Sequence, residues 1–427
     1  MPGQFEIITT YGVLALVFII LATDRFSPAL VAAAGAAALM ATGILPTHAM
    51  LSVFGNSAPI TIACMMIIAS ALSEAGVLDL IGYKIEELGK DNPLKAIIPL
   101  FGFVFILSGF MNNTPAVIVL APLLIELGRK LDKSPYRYLI PLSYVAILGG
   151  MTTLIGTSTN ILVDSIAQEH GQKPFHIFEI TAPALLMAAG GLVLMTITNR
   201  FLLPDERQSL TRGRLAEMLN FSKPRKRDFH PVKSAFSIAT LIMVVGMAAL
   251  DVMPIAGLAF IGAVFVIVTG CITARKAYED MDWSVLLLIF GMLGIGKAMH
   301  ESGSAKLLID QFVGIAAGLD PIIILAGLYL LTSFLTETVT NNAVAVILTP
   351  LVIGMCETLG LNVRPFLIVL MLASSAAFAT PIGYQTNTYV YIKGGYKFKD
   401  FIKVGLPMNI LMWLMAICIV PVFWDLQ

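Results

Sequence analysis

Two pairs of segments carry residue types suited to holding a cation inside an apolar setting. Asn112-Asn113-Thr114-Pro115, followed by an apolar run to Pro122, recurs 228 positions later as Thr340-Asn341-Asn342-Ala343, with a run ending at Pro350. Downstream of each lies a second motif, Ile155-Gly156-Thr157-Ser158-Thr159-Asn160 in the first half and Ile382-Gly383-Tyr384-Gln385-Thr386-Asn387 in the second. Amide and hydroxyl oxygens, together with carbonyls freed at a glycine break, are the ligands that hard cations such as sodium prefer. Neither Asn-rich tip holds a carboxylate, so bound cations leave the site net positive. The stretches 96–125, 139–163, 322–336 and 366–392 contain no Lys or Arg. An anion there could be held only by helix N-termini, hydroxyl and amide donors, and co-bound cations. Anion and cation then raise each other's affinity by the same factor, which is the thermodynamic form of symport.

The elements that position these residues follow from composition. Apolar residues make up 57% and charged residues 13% of 427 positions, with a mean hydropathy of +0.86, so the chain is expected to be an all-α polytopic membrane protein. A β-barrel would instead show short alternating segments. Apolar runs place spans near 8–23, 27–45, 57–73, 136–163 and 180–203, and again near 234–250, 254–272, 283–299, 365–392 and 404–424. Two longer stretches, 93–128 and 321–359, carry the Asn-rich motifs at their centres and suit re-entrant hairpins. The expected count is about ten transmembrane helices plus two re-entrant hairpins, with two of the spans broken at Gly156 and Gly383. Glu74, Gly76, Leu80 and Ile81 align with Glu301, Gly303, Leu307 and Leu308, so the duplication covers whole halves, and 74–89 and 301–317 read as interfacial helices. Five spans per half is an odd number, which makes the two repeats inverted. Residues 1–203 form the first repeat, 204–232 a linker and 233–427 the second.

Lys and Arg cluster on one side of this topology, including Lys223-Pro224-Arg225-Lys226-Arg227 in the linker. The positive-inside rule makes that side cytoplasmic and puts both termini outside. The linker basic run reads as a solvated topogenic loop, with anionic lipid binding as the alternative. Residues Met1 to Glu6 lack a basic region and no small-residue cleavage site follows, so no removable signal peptide is expected. Cys64, Cys271, Cys356 and Cys418 stand singly and read as core residues. No His, Cys and carboxylate constellation has catalytic or metal-ligand spacing, so an enzyme is not expected. A channel is disfavoured because no continuous polar stripe runs through any span.

Each polar residue also has a plain structural reading. Asn and Thr at hairpin tips can simply cap helices, and Gly149 and Gly150 can serve close packing. Duplication at a fixed offset favours function for the pair. Glu337, three residues before Thr340, is a lone intramembrane acid. It is either a structural acid bonded to nearby donors or a proton carrier.

The doubled tip, Asn112-Asn113-Thr114 and Thr340-Asn341-Asn342, resembles the signature of the divalent anion/sodium symporter family, within the ion transporter superfamily. The resemblance covers nearly the whole chain. It implies a first sodium site at Ser108, Asn112, Asn113 and Gly156, and a second at Thr336, Thr340, Asn341 and Gly383. It also implies a substrate site between the tips at Thr114, Thr157, Ser158, Asn342, Tyr384, Gln385 and Thr386. The loop residues Ser158-Thr159 and Gln385-Thr386 replace the Pro-Pro of many dicarboxylate carriers, and the pattern is closer to sulfate-type members. The implied function is sodium-coupled symport of a small divalent oxyanion, sulfate or a C4-dicarboxylate, with sodium ions as coupling ligands and no cofactor. The implied mechanism is of the elevator type in a homodimer. Residues 1–91 and 233–319 would form most of the scaffold, while 92–203 and 320–427 would carry the moving site. The alternative is a sodium/proton antiporter of the same superfamily using Glu337. The expected location is a bacterial inner membrane.

Overall fold

The computed structural model describes residues 3–23, 25–89, 94–130, 136–202 and 229–427. The linker basic run therefore lies outside the described residues. Among the described residues there are twenty helices and no strands, and the second ten repeat the order and length of the first ten. Thus α1 (Gln4–Ala22), α2 (Pro28–Ala41), α3 (Thr47–Val53) and α4 (Ser57–Glu74) match α11 (Pro231–Ala249), α12 (Ile255–Val268), α13 (Ala274–Asp280) and α14 (Trp283–Glu301). Next, α5 (Val77–Leu88), α6 (Leu94–Ser108) and α7 (Asn113–Lys130) match α15 (Ser304–Ala316), α16 (Pro321–Thr336) and α17 (Asn341–Leu359). Finally α8 (Tyr136–Gly150), α9 (Ser158–Glu169) and α10 (Thr181–Leu202) match α18 (Val363–Ser375), α19 (Gln385–Gly394) and α20 (Phe398–Phe423).

Among the described residues, seven stretches are long and apolar enough to cross a bilayer by length and composition, and six further apolar helices are shorter. The shortness has a cause at the two motifs. Both long Asn-bearing stretches stop at the tip, giving the pairs α6–α7 and α16–α17, and both glycine-bearing spans stop at the break, giving α8–α9 and α18–α19. The short helices α3 and α13 lie where the sequence had suggested only loops, because two turns are too few to show a 3.6-residue period.

Local signals set the boundaries. The Asn56 side chain accepts from the Ala58 amide at 2.8 Å and caps α4, and Asp282, at the equivalent position, accepts from the Val285 amide at 3.2 Å and caps α14. Gly76 and Gly303 take left-handed φ values of 78° and 71°, which lets the chain turn from the preceding span into the amphipathic helices α5 and α15.

Between helices, where lipid tails are as apolar as leucine, association depends on close packing of small residues. α2 packs on α14 and α12 on α4, the same contact in the two halves. At the first, a Cβ added to Gly291 would sit 2.6 Å from the Ala32 carbonyl carbon. At the second, one added to Gly262 would sit 2.9 Å from the Val244 side chain and 3.0 Å from Ile68. The last helix of each half, α10 and α20, pack on one another. A Cβ on Gly405 of α20 would lie 2.0 Å from the Phe378 carbonyl oxygen, so α20 rests directly on the unwound segment between α18 and α19.

Candidate functional site

The two glycine breaks share one pattern of threonine and asparagine hydrogen bonds. After α8, the Thr153 hydroxyl donates to the Gly109 carbonyl and accepts from the Gly156 amide at 3.1 Å, while Asn160 Nδ2 donates to the Thr153 carbonyl at 3.0 Å. After α18, Thr380 Oγ1 donates to the Glu337 carbonyl at 2.9 Å and accepts from the Gly383 amide at 3.0 Å. There Asn387 Nδ2 donates to the Thr380 carbonyl at 3.2 Å. Each unwound segment is thereby tied to the hairpin tip of its own half, and its polar backbone is satisfied inside protein. Thr153 and Thr380 sit at the same 227-residue offset as the glycines and as Asn160 with Asn387, and lie just upstream of the paired motifs.

At the first break, Ser108 and Asn113 are fully buried, and neither Ser108 Oγ nor Asn113 Oδ1 has a hydrogen-bond partner among the described residues. A Cβ built on Gly156 would lie 2.4 Å from the Gly150 carbonyl oxygen, 2.9 Å from that of Ser108 and 3.0 Å from that of Gly109. Three carbonyl oxygens therefore cradle a space that only glycine leaves open, beside an amide oxygen and a hydroxyl that lack partners. Such a neutral, all-oxygen donor set fits a hard cation. Asn112 lines a neighbouring cavity, and its Oδ1 accepts from the Thr114 amide at 3.4 Å, a capping role.

The second break differs. Thr336 Oγ1 lies 2.6 Å from Asn341 Oδ1 and 2.8 Å from the Ser374 carbonyl oxygen, while Thr340 Oγ1 and Ser374 Oγ are buried without partners. Gly383 faces a carboxylate instead of a carbonyl ring, since its missing Cβ would lie 3.1 Å from Glu337 Oε2. Glu337 aligns with Gly109 of the first half. Its carboxylate accepts from the amides of Ala379 and Thr380, each at 2.8 Å, and from Asn409 Nδ2 of α20 at 2.7 Å. It clamps the unwound segment and α20 to the hairpin tip.

The tips of each half meet the broken helix of the other. Asn342 Oδ1 accepts from Ser158 Oγ at 3.1 Å and Thr159 Oγ1 at 3.2 Å, and Thr114 Oγ1 donates to Gln385 Oε1 at 2.9 Å. Tyr384 Oη donates to Thr157 Oγ1 at 3.4 Å and accepts from Asn113 Nδ2 at 2.8 Å. Because the phenol has one proton and gives it to Thr157, the Asn113 amide presents its nitrogen to Tyr384 and keeps Oδ1 free.

Between these contacts lies a cavity of about 140 Å³. Thr157, Ser158, Asn342, Tyr384 and Gln385 line it, as do Thr159 and Ser284, which were not foreseen. Thr114 touches Gln385 but is not among the lining residues. Thr386 is fully buried and accepts from Ser143 Oγ of α8 at 2.8 Å, so it braces α19 rather than facing the cavity. Helices α7, α9, α17 and α19 all begin at this place, and no Lys or Arg is among the lining residues. Four positive helix ends with hydroxyl and amide donors suit a small anion. Beside it, Asp282 accepts from Gln385 Nε2 at 3.3 Å.

A family model for citrate transporters matches residues 17–355 and 339–426. An uncharacterized transporter of Synechocystis is 24% identical, with 91% of this chain and 92% of that protein covered. Sodium/sulfate cotransporter 1 of Chlamydomonas reinhardtii is 33% identical over 200 residues, covering 44% of this chain and 22% of that protein. The crystal structure of the Alcanivorax borkumensis YdaH transporter superposes with a TM-score of 0.58 at 16% identity, covering 87% of this chain and 86% of that one, which speaks to the fold. The chain is a membrane transporter and not an enzyme, and it belongs to the citrate transporter family.

Proposed function

We propose that this protein is a sodium-coupled symporter of a small divalent oxyanion, sulfate or a C4-dicarboxylate, bound in the cavity between the two tips. The observation that carries this reading is the pairing of a cavity lined by helix N-termini without basic residues with buried, unpartnered oxygens at the adjoining breaks. Coupling cations would supply the positive charge that the lining withholds. Ser108, Asn113 and Gly156 would hold the first cation, and Thr336, Thr340 and Asn341 the second, with Glu337 holding Gly383 in place. The relative named a sodium/sulfate cotransporter supports the sulfate class.

The matching ten-helix halves support two inverted repeats, and the Lys and Arg placement supports a cytoplasmic linker. In an elevator mechanism, most of 1–91 and 233–319 would be scaffold, and 92–203 with 320–427 the moving unit. Packing of α20 on α16 and α18, through Trp413 Nε1 to the Ala326 carbonyl at 3.1 Å and Asn409 to Glu337, favours α20 as part of the moving unit. A homodimer in a bacterial inner membrane completes the proposal. The test is uptake of labelled sulfate and succinate into proteoliposomes under an inward sodium or potassium gradient. Uptake under sodium alone supports symport, whereas equal uptake in potassium refutes it. The antiporter alternative would need Glu337 free to exchange protons, and its three hydrogen-bond donors favour a structural acid instead.

A further inference from the structure

The two halves treat their tip asparagines differently. Asn341 is held within its own half, by Thr336 Oγ1 at 2.6 Å. Asn113 is held from the opposite half, by Tyr384 Oη at 2.8 Å, a contact spanning 271 positions. The residue equivalent to Tyr384 is Thr157, too short to make the reciprocal reach, and it serves instead as acceptor for the Tyr384 hydroxyl at 3.4 Å. Tyr384 therefore touches both the anion cavity, which it lines, and the one side chain of the first cation cradle whose carbonyl-type oxygen is buried and unpartnered.

Resting on the symport reading, we propose that the Tyr384 hydroxyl is the positioning residue of the first cation site. It fixes the Asn113 amide with Oδ1 free, so the cation affinity of the first half depends on the docking of the broken helix of the second. The second cation site has no such cross-half dependence. Because Tyr384 is also cavity wall, movement of this ring on anion binding would pass directly to one cation site and not to the other.

The test is a thermal-shift titration of the purified full chain with sodium chloride, ionic strength balanced with potassium chloride and no anionic substrate added. Loss of one hydrogen bond that orients a ligand group should raise the sodium midpoint of Tyr384→Phe about fivefold. Thr157→Val, which removes the acceptor orienting the phenol, should move it the same way by a smaller factor, and carries the test if Tyr384→Phe fails to fold. The sulfate midpoint of Tyr384→Phe at saturating sodium should move less than its sodium midpoint. A wild-type sodium response left intact by both substitutions overturns the proposal alone, as does a variant in which only the sulfate midpoint moves. Wild-type protein indifferent to sodium overturns it together with the symport reading.

Discussion

At the scale of single residues, the proposed cation sites rest on oxygens that are buried and lack hydrogen-bond partners among the described residues. A buried polar atom without a partner costs about 1–3 kcal/mol, so several gathered around two breaks imply a ligand that repays them. Asn113→Ala and Asn341→Ala should each abolish sodium-dependent uptake in proteoliposomes while leaving a folded, membrane-inserted protein. Normal uptake at unchanged sodium affinity in both would rule out the sites. Glu337 makes a different prediction. A Gln in its place turns an amide nitrogen toward at least one of the three donors it now accepts from, so Glu337→Gln should lower stability by about 1–3 kcal/mol in a denaturation assay. The surviving protein should keep sodium-dependent uptake, whereas loss of a pH-driven sodium flux would return Glu337 to the role of proton carrier.

At the scale of elements, helix breaks do the positioning. Gly156→Ala would press a methyl within 2.4 Å of the Gly150 carbonyl oxygen, filling the cradle, and should remove sodium-dependent uptake as fully as Asn113→Ala. Gly102→Ala, whose added Cβ meets nothing within 4 Å, is the matched control and should transport normally. The breaks were legible in the sequence because they disturb long apolar runs at a fixed offset. Ser108, Asn113 and Gly156 do come together. Contacts between halves were not legible. Nothing in one half marks Tyr384 as the partner of Asn113, since a contact across 271 positions leaves no periodic trace. The family resemblance implied Thr386 at the cavity together with Gln385, but one step along a helix turns its side chain to Ser143.

At the scale of the whole molecule, the two halves contribute four helix N-termini to one cavity, and alternating access, as proposed, would exchange the roles of equivalent contacts. Asn56, the cap of α4, donates to Glu169 Oε1 at the far end of α9 at 2.7 Å, and Lys297 of α14 lies 3.8 Å from the other carboxylate oxygen. Its counterpart Asp282 meets Gln385 at the near end of α19. If 92–203 slides against the scaffold, joining Asn56→Cys to Glu169→Cys with a reducible bifunctional thiol reagent, with the four native cysteines replaced, should stop uptake, and reduction should restore it. Uptake unaffected by a formed cross-link would exclude that motion. The central claim is that cations supply the charge an anion needs at a site without Lys or Arg. Its most direct measurement is the thermal stability of the purified protein with sulfate, succinate, citrate, phosphate or bicarbonate, each in sodium and in potassium. The account predicts that a divalent oxyanion stabilises only in sodium, by about 2.7 kcal/mol at a hundred times its Kd. Equal stabilisation by that anion in potassium would contradict it.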